Sequence, residues 1–217
     1  MIITKAPFRM SFFGGGTDME SFFKENGGAV LSTTFDKYCY VNVRHLPRFF
    51  DYSTELSYSK TERVTNIDDI QHPAIRNAMK MLDMHEIRLT YEADLPALSG
   101  LGTSSSFAVG MLNAFYALKG KYADKKKLAD EAIYLERNLC QEAAGKQDKT
   151  AKMKEMLALV DDAERVLTDK NADLDDFGRM LDHTWKLKRQ TGAAVSTNSI
   201  DELYDRGIAA GALGGKL

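Results

Sequence analysis

The stretch that most constrains this chain is Pro96-Ala97-Leu98-Ser99-Gly100-Leu101-Gly102-Thr103-Ser104-Ser105-Ser106-Phe107. A strand-like segment, Ile87 to Ala93, precedes it, and a helix-like segment, Phe107 to Leu118, comes after it. Small glycine- and hydroxyl-rich residues at a strand-to-helix junction let backbone N–H groups close on an anion. The helix start then adds unsatisfied donors and the positive end of its dipole. A flexible Gly/Ser linker is the competing reading. It fits poorly, because the serines run straight into Phe107, Val109, Met111, Leu112, Phe115 and Leu118, spaced like a buried helix face. The loop is not of the Walker type, since no Gly-x-x-x-x-Gly-Lys-Ser/Thr occurs. A dinucleotide fingerprint also fails, because Gly100-x-Gly102 is followed by Ser105 where a third glycine or alanine belongs.

Around this loop the first half mixes strands and helices. Strands are expected at Ile2 to Thr4, Phe8 to Phe13, Ala29 to Phe35 and Tyr38 to Val43, with a polar edge hairpin between Phe49 and Val64. Helices are expected at Asp18 to Glu25, Pro73 to Leu82, Thr103 to Leu118 and Asp124 to about Cys140. The second half reads as helix only. Lys152 to Leu167 and Leu174 to Lys188 each carry an apolar stripe suited to core packing, and Ser199-x-x-Glu202 reads as a capping box opening a last helix that ends near Gly211. Strands and helices first, then helices, gives an α+β chain with a boundary near residue 148.

Composition narrows the partners. A formal net charge of -2 over 217 residues, with no long basic block, argues against nucleic acid or an anionic membrane as the main partner. No apolar run is long enough to span a membrane, and the N-terminus lacks the apolar core of a signal peptide, so a cytoplasmic protein is expected. Cys39 and Cys140 read as free thiols. The four histidines show no metal spacing and read as surface or helix-face residues.

Three further segments bear on chemistry. Ala6-Pro7-Phe8-Arg9-Met10-Ser11-Phe12-Phe13-Gly14-Gly15-Gly16-Thr17-Asp18 ends a hydrophobic strand in three glycines, a hydroxyl and a carboxylate. Asp18 reads either as a helix cap or as an acceptor for sugar hydroxyls, with the glycines leaving room for a ligand. Glu136-Arg137 alone reads as a surface ion pair. Gly145-Lys146-Gln147-Asp148 comes after a fading helix. In one continuous helix Glu136 and Asp148 would lie about 18 Å apart, at 1.5 Å per residue, and a turn at Gly145 is what could bring them to one site. Two carboxylates beside a serine-rich anion loop are the parts of magnesium-dependent phosphoryl transfer. Glu136 and a loop serine would hold the metal, Asp148 would take the proton of the attacking hydroxyl, and Arg9 would keep Asp148 ionised.

These residues resemble the GHMP kinases. Pro7-x-Arg9 through Gly16-Thr17-Asp18 resembles the family's first motif, Gly100-Leu101-Gly102-Thr103-Ser104-Ser105 its nucleotide phosphate loop, and Glu136 and Asp148 its metal-binding glutamate and catalytic aspartate. The resemblance implies the two-domain GHMP kinase fold, with a ribosomal-protein-S5-domain-2-like N-terminal half at residues 1–148 and a ferredoxin-like C-terminal half, here helix-rich and partial, at 149–217. It implies catalysis by Asp148 and Arg9, and ATP bound by Pro96, Ser99, Gly100, Leu101, Gly102, Thr103, Ser104 and Ser105. Mg2+ falls to Ser104 and Glu136, and the acceptor to Gly15, Gly16, Thr17, Asp18 and Lys146.

Phe-Gly-Gly-Gly-Thr-Asp at 13–18 and Gly-Lys-Gln-Asp at 145–148 resemble the subgroup that phosphorylates the anomeric hydroxyl of D-glycero-D-manno-heptose 7-phosphate. A fucokinase-like or other sugar 1-kinase is the alternative, and a non-catalytic binding protein on the same fold is the second. A distal phosphate would need cations, for which Arg44, Arg48, Lys60, Arg88 and Lys146 are candidates. Whether such a kinase is a monomer or a homodimer is open at this level. Relatives carry a β-rich stretch after the aspartate and a third glycine-rich motif, so segments are expected to be missing after Asp148 and after Leu217.

Overall fold

The structure is a computed structural model and describes residues 1–96, 102–140, 150–191 and 195–216. Five strands form one mixed sheet in the order β1-β2-β5-β3-β4. They are β1 (Ile2–Phe13), β2 (Leu31–His45), β3 (Thr54–Ser57), β4 (Thr61–Val64) and β5 (Ile87–Ala93). Seven α-helices are described: α1 (Glu20–Asn26), α2 (Pro73–Met81), α3 (Thr103–Leu118), α4 (Lys125–Tyr134), α5 (Thr150–Thr168), α6 (Leu174–Arg189) and α7 (Asn198–Ala209).

Several sequence expectations change. The two short strands expected before residue 14 are one, running through Pro7. β1 lies at the sheet edge, where a proline's missing N–H breaks no ladder. Likewise Asp36-Lys37 does not interrupt β2. The last helix is capped two residues earlier than the capping box suggests. Thr197 Oγ1 accepts from the Ile200 amide at 3.4 Å, and Ser199 lies inside the helix. His72 is not a plain surface residue. It packs between the rings of Tyr58 and Phe107, with its Nδ1 buried and without a hydrogen-bond partner among the described residues. The edge hairpin, β5 and α3 stand where the pattern puts them.

The chain folds as two compact units, each built from separate stretches. The first holds Met1–Arg9 and Thr34–Ala143, and the second holds Met10–Thr33 and Ala144–Leu217. In the first unit alternation in β2 and β5 turns Val41, Val43, Ile87 and Leu89 inward onto Ile75, Met79, Met111, Leu112 and Phe115 of α2 and α3. Helix α3 packs against the strands at Gly110, where even a Cβ would make ordinary contacts. A Cβ there would lie 3.5 Å from Val41 and 3.6 Å from Ala6, and Thr4 Oγ1 donates to the Gly110 carbonyl at 2.7 Å. The second unit has its own core, in which Phe13 meets Phe177 edge-on at 5.1 Å over Val160 and Ala163. From residue 150 on, the described residues form the three helices α5, α6 and α7 and no strand.

Candidate active site

In the first unit the glycine- and serine-rich stretch reaches α3 through Gly102, whose φ of 72° and ψ of 28° place it in the left-handed region. Glycine is required there for a second reason. A Cβ would lie 2.9 Å from Arg9 Cγ and 3.4 Å from Arg9 Nε, so the Arg9 side chain lies directly against the loop's end. Helix α3 starts at the next residue with no side chain capping it. The N–H groups of Thr103, Ser104 and Ser105 therefore open its first turn without an intrahelical acceptor. A helix start in this condition favours a bound anion.

The three serines diverge in role. Ser104 Oγ donates to Glu136 Oε1 at 3.0 Å, and Ser105 Oγ donates to Glu136 Oε2 at 3.2 Å. Ser106 is buried and donates to the Pro7 carbonyl at 2.9 Å, which pins the helix start to β1. The surface ion pair that Glu136-Arg137 suggests when read alone is thus not what occupies the Glu136 carboxylate. Both its oxygens face the loop serines.

Glu136 stands at the start of a widened turn that follows α4. Residues Leu135–Leu139 form a π-helical turn, closed by the Cys140 amide on the Leu135 carbonyl at 2.9 Å. Leu135 is fully buried, and Asn77 Nδ2 of α2 donates to the Leu139 carbonyl at 2.8 Å. Such turns are rare and concentrate at functional sites. Asn77 escaped sequence reading, since only the fold reveals that it braces this turn.

The second unit holds the glycine turn after β1. Gly14 has φ of 76°, and a Cβ there would stand 1.9 Å from the Ala29 carbonyl oxygen, so no side chain fits. Thr17 is fully buried. Its hydroxyl lies 2.8 Å from the carbonyls of both Gly14 and Ala29, with one proton to give to either, and accepts from the Ala29 amide at 3.3 Å. That hydroxyl is committed to holding the turn, whereas the sequence reading assigns it to the acceptor. Asp18 is exposed and does not cap α1, whose N-cap is Met19. Its Oδ1 accepts from the Gly16 amide at 3.0 Å. Lys216, unassigned by sequence, comes to this turn from the far end of the chain. Its ammonium donates to the Phe12 carbonyl at 3.3 Å and lies 3.5 Å from where a Gly15 Cβ would be.

Pro96 is exposed at the loop's start. Ser99, Gly100, Leu101, Lys146 and Asp148 lie outside the described residues.

The donor set is suited to a hard cation. Serine and carboxylate oxygens are what Mg2+ takes, and it commonly uses one or two protein ligands, the rest being water and phosphate. Among the described residues no group of three or more His, Cys, Asp or Glu side chains could hold a metal. The Ser104–Glu136 pair supplies two oxygen donors of this kind.

Residues 70–156 match the family model for the GHMP kinases N terminal domain. No curated protein matches the chain. Among solved structures, a D-glycero-D-manno-heptose 1-phosphate kinase from Bacteroides thetaiotaomicron is similar, with a TM-score of 0.76 at 20% identity over 100% of this chain and 85% of that one. Methanococcus jannaschii mevalonate kinase gives 0.68 and 16%, over 100% and 86%. Lactococcus lactis galactokinase, solved with galactose, gives 0.71 and 12%, over 99% and 82%. At these identities the likeness is one of fold. No described helix is long and apolar enough to cross a membrane.

Proposed function

The chain has the GHMP kinase fold and carries that family's N-terminal domain, and on that premise we propose that it is an ATP-dependent sugar-phosphate kinase. The γ-phosphoryl group would pass to the anomeric hydroxyl of a sugar phosphate, with D-glycero-D-manno-heptose 7-phosphate the favoured acceptor and the 1,7-bisphosphate the product. The observation that carries the reading is the pairing of Ser104 and Ser105 with Glu136 beside a left-handed Gly102.

In this reading residues 1–148 form the ATP-binding domain and 149–217 part of the C-terminal domain. Pro96, Ser99, Gly100, Leu101, Gly102, Thr103, Ser104 and Ser105 hold the nucleotide phosphates, and backbone amides at the start of α3 supply donors of fixed direction. Ser104 and Glu136 would hold Mg2+, which offsets phosphate charge when bound. Arg9, lying against Gly102, adds a cation at the loop. Gly15, Gly16 and Asp18 face the acceptor, with Thr17 bracing them. Lys146 would contact the sugar phosphate. Asp148 would accept the proton of the attacking hydroxyl. Cytoplasmic location and a place in making nucleotide-activated heptose belong to the same proposal.

Two measurements test it. In an ADP-release assay with sugar 7-phosphates, fucose and galactose, turnover should be strongest on the heptose 7-phosphate. Turnover on fucose alone would give the role to a free-sugar 1-kinase. Asp148→Asn should abolish transfer while ATP still binds, and unimpaired turnover in that variant would remove Asp148 as the base.

A further inference from the structure

The first unit has a second polar site, on the face of the sheet turned away from α2 and α3. Residues that alternate with the core positions of β2 and β5 point there. Asn42 is paired with Thr90 and Arg44 with Arg88 across the two strands. With Met1 these four residues line a cavity of about 280 Å3.

Three observations mark it as built for a ligand. First, Arg44 and Arg88 stand directly opposite each other on antiparallel neighbours, an arrangement of like charges that destabilises a sheet. Second, the local carboxylate does not offset them. Glu55 of β3 is met by Arg88 Nη2 at 2.5 Å, Arg63 Nε at 3.1 Å and the Tyr52 hydroxyl at 2.7 Å, which leaves three guanidinium groups against one carboxylate. Arg44 has no ion-pair or hydrogen-bond partner among the described residues. Third, Arg88 Nε is buried and has no acceptor among the described residues. A buried N–H left without an acceptor is costly, so a small turn of the Arg88 guanidinium that brings it to a ligand oxygen is favoured.

We infer that this cup of Asn42, Arg44, Arg88 and Thr90 binds a phosphate-type oxyanion. The Arg44 guanidinium fork matches its geometry, Arg88 adds a second cation already held in place by Glu55, and the Asn42 amide and Thr90 hydroxyl supply neutral donors between them. Its volume equals roughly nine waters at ~30 Å3 each, and lies just under the roughly 300–1,000 Å3 of pockets that enclose drug-sized ligands. One oxyanion, free or at the end of a small ester, is therefore the fitting occupant. This inference does not depend on the kinase reading.

Isothermal titration of inorganic phosphate into the full chain, in chloride buffer without nucleotide, tests the site. A binding event separate from any at the start of α3 is expected, weakened at least tenfold by Arg44→Gln and also by Thr90→Val. Unchanged affinity in Arg44→Gln would assign the event to another part of the protein and overturn the inference. Thermal melts in phosphate-free buffer guard against misfolding. Arg44→Gln should melt no lower than the parent, because it relieves a repulsion, and a lower melt would show that Arg44 is already satisfied and overturn the inference. A parallel titration with glycerol 3-phosphate separates the sources. Equal affinity identifies the bare ion as the ligand, and tighter binding identifies a phosphorylated small molecule.

Discussion

Gly14 shows how much one residue can carry. Its positive φ is costly for any L side chain, and the Ala29 carbonyl leaves no space for a Cβ. Gly14→Ala should therefore lower stability by at least ~2 kcal/mol, the left-handed penalty plus the displaced backbone, read from urea unfolding. Gly15→Ala should cost far less, since only the end of Lys216 is near. The three glycines announce a turn, but which of them is indispensable depends on a contact with residue 29, and local sequence does not carry that. Burial pushes the Cys39 thiol up to about 11, so a thiol reagent at neutral pH should label Cys140 in the native protein and reach Cys39 only after unfolding.

The same scale sets an acid limit. Burial pushes the Glu55 carboxyl up, but hydrogen bonds from Tyr52 and Arg63 and the charge of Arg88 outweigh it and hold it below its ordinary value of 4.5. Glu62 is lowered too, where burial is outweighed by bonds from the Tyr58 hydroxyl and the Gln71 amide. A carboxyl lowered on folding adds stability above its unfolded pKa and loses it as pH falls through the folded one. The melting temperature should hold above pH 5 and drop below about pH 4.5, and Glu55→Gln should flatten that drop.

At the scale of elements, caps and helix irregularities decide where side chains point. Asp124 caps α4 by accepting from the Lys127 amide at 2.7 Å, so Asp124→Ala should cost about 1 kcal/mol in chemical unfolding. Thr197→Ala should cost more than Ser199→Ala, the reverse of what the Ser-x-x-Glu spacing suggests. The alternation of β5 and the apolar stripe of α3 were legible because each is a local period meeting one core. The π turn was not. One extra residue in a turn leaves composition and spacing nearly unchanged, yet it rotates the side chains beyond it by about a quarter of a circle. Sequence thus paired Glu136 with a loop serine, but it held no sign of the π turn in which Glu136 stands.

At the scale of the molecule, the two units do not respect the order of the chain. The second unit takes Met10–Thr33 as well as its C-terminal helices, and its core sets Phe12, Phe13, Ala29 and Leu31 against α5 and α6. A fragment of residues 1–148 should therefore leave that apolar surface uncovered. It should bind a hydrophobic dye or aggregate, and a monomeric fragment with a cooperative melt and no dye binding would contradict the arrangement. Sequence placed a boundary near residue 148 because composition changes from mixed to helical there. It held no sign that residues 10–33 belong with the later helices, since that grouping rests on contacts more than a hundred residues apart.

β1 changes units after Arg9, so one continuous strand carries Arg9 in the first unit and leads to the Gly14 turn in the second. A single cut near residue 148 therefore does not separate the two units. A recombination that swaps the C-terminal helices for those of a relative would leave Phe12, Phe13 and Ala29 facing a foreign surface. To succeed it would have to bring residues 10–33 along, and with them the turn proposed to face the acceptor. Changes of acceptor preference in such a protein should then arise by substitutions along both stretches together rather than by shuffling of either end.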